Sequence, residues 1–172
     1  MLWRVTGFFE DDWTEVADDA PIPAQGPIVV GWGRWTKERE ALASRAAEVG
    51  LRIDAGKDAR GELEEAAGRP FVALNFAKFS DGRAYSYASL LRERYGFKGE
   101  LRGFGDILLD SIPLMLRCGF SSFEITNAPT LAALKRGHVP EVFLHTQPSP
   151  ASDEPREAGP PWRRRTTPLG AT

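Results

Sequence analysis

Phe71-Val72-Ala73-Leu74-Asn75-Phe76 (FVALNF) is the clearest strand in the chain. Its nearly continuous apolar character suits burial on both faces of a parallel sheet. Toward the C-terminus, Ala84–Tyr95 predicts a helix carrying Tyr87, Leu90, Leu91 and Tyr95, with Gly96 at its end. Leu101–Phe104 predicts the next strand and Ile107–Arg117 a helix closed by Gly119, with Pro113 within its first two turns, where a missing amide hydrogen bond costs least. Phe120–Thr126 reads as a further strand. Pro129 fits the first turn of another helix, continued by Leu131, Leu134 and Lys135 to Gly137, and Val142–Leu144 adds a short edge strand.

Toward the N-terminus the same alternation continues. The ELEEAAG segment is helical and Leu51–Ile53 is a short strand. Before it, Thr36 caps a helix bearing Leu42, Ala43, Ala46, Ala47 and Val49, which Gly50 stops. Ile28–Val30 opens the main series, Asp18–Pro27 is a loop broken by three prolines and Gly26, and Leu2–Val16 alternates like a hairpin around Gly7–Asp12. Strands alternating with helices imply parallel pairing, and five such units are too few for an eight-stranded barrel. The expected fold is α/β, a single layered domain of about five mainly parallel strands after a short hairpin; the structural alternative is a partial (β/α) barrel. The expected organisation is residues 1–26 as hairpin and loop, 27–147 as core and 148–172 as a solvated tail.

With 172 residues, 42% hydrophobic, the chain supports one core. Lysine plus arginine (22) nearly balances aspartate plus glutamate (24), and a formal charge of −2 gives no electrostatic reason to expect nucleic acid or an anionic membrane as partner. One cysteine, Cys118, excludes an intrachain disulfide and a multi-cysteine metal or iron–sulfur site within one chain. No basic segment precedes an apolar run at MLWRVTGFFEDDW, so a cytoplasmic protein is expected. The sequence specifies no oligomeric state.

Ligands of open α/β sheets gather beyond the carboxyl ends of strands. Lys78, Asp81 and Arg83 follow FVALNF, and Asp106 follows the next strand. Lys78 and Arg83 are candidates for binding a small oxyanion; Asp81 and Asp106 for orienting a cation or accepting a proton; Tyr85 and Ser86 for flanking contacts. The same residues have a plainer reading: Asp81-Gly82 is a turn pair, Ser80 or Asp81 caps the following helix, and Asp106 caps the next. Arg92, Glu93 and Arg94 diverge around a helix and read as a solvated face. Gly103 and Gly105 resemble part of a phosphate loop, but Leu108 breaks the spacing. Cys118 follows Arg117 at an apolar helix end, where a buried inert thiol is the commoner case. His138 and His145 are too far apart for a helical metal pair. No metal site and no cofactor are therefore expected. In the tail, Trp162 beside Arg163, Arg164 and Arg165 forms a candidate docking element.

The stretch NFAKFSDGRAYSYASLLRERYGFKGELRGFGDILLDSIPLMLRCGFSSFEI, Asn75 to Ile125, resembles the bacterial domain of unknown function nine-three-four family, described in connection with sulfite reduction. The resemblance is carried by K-F-x-D-G-R-x-Y-S at Lys78–Ser86, L-L-R-E-R-Y-G at Leu90–Gly96, G-E-L-R-x-x-G-D at Gly99–Asp106, and R-C-G-F at Arg117–Phe120 followed by Phe123-Glu124. DDWTEVADDAPIPAQGP and Trp35 in GRWTKER extend it toward the N-terminus. It implies a role beside assimilatory sulfite reductase and transfers no catalytic residues. Two functions follow as expectations: an accessory or adaptor that binds sulfite reductase, or a small enzyme acting on a sulfur oxyanion at the ends of the third and fourth strands. A domain whose strand-end pocket is vestigial is a third.

Overall fold

The computed structural model describes residues 1–55, 58–78 and 81–138. The expected strand Val142–Leu144, Ser80, His145 and the Trp162–Arg165 element lie outside them.

The parallel series is formed by β3 (Thr14–Val16), β4 (Ile28–Gly31), β5 (Val49–Ile53), β6 (Phe71–Phe76), β7 (Glu100–Gly105) and β8 (Ser122–Glu124), each paired with the next in chain order. On the far side of β8, β1 (Leu2–Arg4) and then β2 (Gly7–Phe9) add antiparallel. The result is one mixed eight-stranded sheet ordered β2-β1-β8-β7-β6-β5-β4-β3. The expectation of about five mainly parallel strands in an open layer is therefore corrected in count and in sense: the sheet has eight strands and is mixed, since β1 and β2 add antiparallel. The N-terminal residues expected to form one hairpin are divided between the two edges of the sheet. Leu2–Phe9 makes the hairpin, with its turn earlier than expected, and Thr14–Val16 starts the parallel series at the opposite edge.

That division dictates curvature. A flat eight-stranded sheet is about 34 Å wide, strands lying about 4.8 Å apart. The edges β2 and β3 are joined only by Glu10–Trp13, and the chain from Phe9 to Thr14 spans at most about 18 Å. The sheet must curl until its edges approach, and it does so as a half-barrel, the expected alternative.

Helices cover the outer face alone. They are α1 (Trp32–Leu42), α2 (Arg60–Ala66), α3 (Arg83–Ser89), α4 (Ile112–Arg117) and α5 (Ala128–Lys135). Trp35, Leu63, Tyr87, Met115 and Leu134 from these helices join Val30, Leu51, Leu74, Leu101 and Phe123 from the strands in one buried cluster. No described helix is long and apolar enough to cross a membrane.

Several local expectations are corrected. Helix α1 starts at Trp32, so Thr36 lies inside it, its hydroxyl donating to the Gly33 carbonyl at 2.9 Å, and caps nothing. A 3-10 stretch, Ala43–Glu48, follows α1, and Val49 and Gly50 belong to β5. Gly50 is glycine because the Phe71 ring lies across it: an added Cβ would meet Phe71 Cδ1 at 2.6 Å. Helix α4 begins only at Ile112, which puts Pro113 in its first turn, where its missing amide hydrogen costs no helical hydrogen bond. Arg92 is no solvated side chain. It donates to the carbonyls of Phe97, Gly99 and Gly119, tying the end of the helical segment after α3 to the start of β7 and the turn before β8.

Candidate functional site

Curling and one-sided helix cover leave the inner face of the sheet open. Strand register sorts its side chains into rows. The lower row runs Glu15, Val29, Gly50, Phe71 and Glu100; the middle row runs Gly31, Arg52, Ala73, Arg102 and Ser122. In a complete barrel such rows interdigitate with those of the opposite strands. Here Glu10–Trp13 supplies the cover: the Trp13 ring packs on Phe71 with centroids 4.9 Å apart, and Asp11 turns inward. A cavity of about 280 Å³ remains, with Val29, Phe71, Ala73 and Trp13 as its apolar surface and Arg52 and Arg102 among its polar groups.

The two arginines flank Ala73 but differ in state. Arg102 is 4% exposed, and its fork is fully engaged. Nη1 and Nη2 reach Asp11 at 2.6 and 3.0 Å, Nη2 and Nε reach Glu100 at 2.8 and 3.1 Å, and the guanidinium lies 4.7 Å from the Phe71 centroid. Burial works to lower its pKa, but hydrogen bonds to Asp11 and Glu100 outweigh that, and the net shift is upward. Arg102 thus pins the Glu10–Trp13 crossing to the sheet. Arg52 is looser. It stacks 3.6 Å over the Phe104 ring, hydrogen-bonds Glu15 through Nη1, and holds Nη2 3.8 Å from Glu124, beyond hydrogen-bond range. Glu15 is on β3 and Glu124 on β8, so one side chain faces carboxylates from both walls of the half-barrel.

The residues singled out from sequence lie elsewhere, at the C-terminal edge of β6 and β7. Asp106 N donates to Phe76 O at 2.8 Å, which brings the ends of the two strands together. Lys78 and Asp106 are exposed there. Arg83 is engaged with Asp81 by two side-chain hydrogen bonds, 2.9 and 2.6 Å, and Asp81 Oδ1 also accepts from Arg83 N at 3.2 Å. Held mainly by the Arg83 side chain, the Asp81 carboxyl titrates at about 2. Asp58 and Arg60 repeat the arrangement before α2, with distances of 2.9 and 2.7 Å and an Asp58 pKa also lowered to about 2 by Arg60. Tyr85 packs edge-on against Phe76 at 5.1 Å, and burial raises its hydroxyl pKa. Ser86 is exposed on α3.

Two other motifs resolve into packing. Gly103 admits Met115, whose Cε would lie 2.4 Å from an added Cβ, and Gly105 has φ +97 and lies against the Phe76 carbonyl. The Cys118 thiol is half-buried, and burial raises its pKa, away from thiolate chemistry. Among the described residues no group of three or more potential ligands is placed to hold a metal.

The family model described as "Bacterial protein of unknown function (DUF934)" matches residues 50–155. The chain belongs to this family. The match begins inside β5 and takes in Arg52, Arg102 and Glu124 together with the whole β6–α5 series. Comparison with curated proteins and with solved structures returns no match.

Sequence reasoning passed over Arg52, Arg102, Glu124, Glu15, Asp11 and Trp13. A signal was present: Arg52 and Arg102 sit inside apolar strands, between Leu51 and Ile53 and between Leu101 and Gly103. A charge at that period-2 position marks a strand with one open or polar face.

Proposed function

We propose that this chain is an accessory protein of assimilatory sulfite reduction that acts beside sulfite reductase by binding. The pathway comes from the sequence resemblance. The mode of action is supported by one observation: the arginines at the strand ends are engaged by neighbouring carboxylates, Arg83 with Asp81 and Arg60 with Asp58, whereas the inner face carries an open, lined cavity. Trp162 with Arg163, Arg164 and Arg165 is the docking element this reading assigns, an aromatic anchor beside charges that steer association. The experiment is co-purification of the full chain with assimilatory sulfite reductase, with complex formation and turnover measured together. A chain ending at Gln147 should retain the fold and bind at least tenfold more weakly. If the full chain neither binds nor changes turnover, the reading falls.

The second reading, a small enzyme acting on a sulfur oxyanion, draws on Lys78 and Asp106 at one accessible edge. It requires that sulfite bind there and that Lys78→Met with Arg83→Gln abolish the binding; calorimetric titration with sulfite separates it from the accessory reading.

A further inference from the structure

The inner-face cavity has a charge pattern that selects its ligand, and the selection does not depend on the sulfite-reductase reading. Five charged side chains line it: Arg52 and Arg102 against Asp11, Glu15 and Glu124. Arg102 is occupied by Asp11 and Glu100 and offers little to a ligand. Arg52 is the available cation. Its guanidinium carbon lies 3.6 Å over the Phe104 ring, its hydrogen bond among the described residues is to Glu15, and the pair with Glu124 is open enough at 3.8 Å to admit a competitor. A simple anion entering here meets Glu15 and Glu124 beside the one guanidinium that carboxylates do not saturate; a simple cation meets Arg52. A molecule carrying both charges satisfies both walls, and each of its contacts is a charge-assisted hydrogen bond.

Size and floor narrow the class further. At roughly 30 Å³ per water, about 280 Å³ holds on the order of nine water volumes, room for a free amino acid. The remaining lining is apolar and aromatic, with Trp13, Phe71, Val29 and Ala73 facing the space.

We propose that the concave face of the half-barrel binds a small zwitterion of the α-amino-acid class, its carboxylate on Arg52, its ammonium against Glu124 and Glu15, and its side chain against Trp13 and Phe71. The small residue beside Arg52 in the middle row, Ala73, leaves space that a bulky barrel-filling residue would close.

The test is calorimetric titration of the full chain with L-alanine, L-leucine, L-methionine and L-phenylalanine. The controls are N-acetyl-leucine, which lacks the ammonium, leucine methyl ester, which lacks the carboxylate, and sodium sulfite. At least one zwitterion should bind saturably, and blocking either charge should weaken leucine-type binding tenfold or more. Arg52→Gln and Glu124→Gln should each do the same. Glu124, about a third exposed and bonded to Arg52 only at 3.8 Å, gives the variant least able to disturb folding, so it decides the matter if Arg52→Gln does not fold. No saturable heat with any of the four amino acids overturns the proposal. So does equal binding of either blocked derivative, which would make the cavity a plain anion or cation site, and so does unchanged binding by folded Glu124→Gln, which would put the ligand elsewhere. Sulfite-reductase binding can fail or succeed without altering any of these results.

Discussion

The two faces of the sheet solve opposite problems with the same strands. Along β5, Val49, Leu51 and Ile53 point outward into helix-covered core and are fully buried, while Arg52 between them points inward to carboxylates and a cavity. Along β7, Leu101 is outward core and Arg102 an inward ion-pair hub. The outer face is held by apolar burial, which is non-directional and tolerant of detail. The inner face is held by directional pairs, and an error there leaves a charge without its partner. Apolar burial is therefore concentrated on one face and charge pairing on the other.

Truncation in the outer face should do the most damage. Leu74→Ala removes a fully buried side chain from the main cluster and should cost about 3 kcal/mol, read as a shift of the urea midpoint without a change in slope. A smaller loss than that of any inner-face variant would break the contrast. Arg102→Met should follow at about 2 kcal/mol, below the usual cost of breaking a buried pair because Asp11 and Glu100 are partly solvated and can rehydrate. It should also release the Glu10–Trp13 crossing, seen as earlier hydrogen exchange at Trp13 while the β6 amides stay protected. Gly50→Ala should cost about 1 to 2 kcal/mol, since the new methyl forces the Phe71 side chain to move. A neutral result would mean that the floor under Trp13 is loosely packed.

The smallest effect belongs to the strand-end pairs. Asp58 and Asp81 titrate at about 2, below the ordinary carboxyl value near 3.8, and each is lowered chiefly by the arginine two residues on. Because the folded values are depressed, the contribution of each pair is present above pH about 4 and is lost as pH falls toward 2. Asp58 is exposed, and Asp81 is paired with an Arg83 side chain that is itself about half exposed, so Arg83→Gln should leave thermal stability at pH 7 nearly unchanged while returning the Asp81 titration toward 4, measured by carbon-detected NMR. A large loss of stability would show that the turn before α3 depends on this pair.

Much of the element order was legible. FVALNF reads as a strand because six nearly continuous apolar residues leave few alternatives, and β6 is that segment, residue for residue. Boundaries failed where a helix yielded to other local structure: Ile107–Arg117 contains a turn and only Ile112–Arg117 is α-helical, because the expected apolar pattern serves burial of Ile107 as well as of α4. The position of Lys78 and Asp106 just beyond the ends of β6 and β7 was legible from the chain order. The engagement of Arg83 with Asp81 was not, since a D-G-R sequence states neighbours and not side-chain geometry. The Arg52–Arg102 face was missed because two-faced burial was read from FVALNF alone and no face was assigned to the Leu51–Ile53 and Leu101–Phe104 strands.

The sequence by itself determined the alternation of strands and helices, the parallel sense of the main series, the glycine and proline punctuation and membership in its family, all of which are local in the chain. Only the tertiary structure decided that Gly7–Phe9 and Thr14–Val16, separated by Glu10–Trp13, end on opposite edges of the sheet. Pairing of β1 with β8 and of β3 with β4 is a choice among distant partners, made by which arrangement buries Trp3 against Phe123 and Val16 in the core, and no periodicity records it. Once that choice is made, a link too short to cross a flat sheet curls it, and the curl brings Glu15, Arg52 and Glu124 to one cavity.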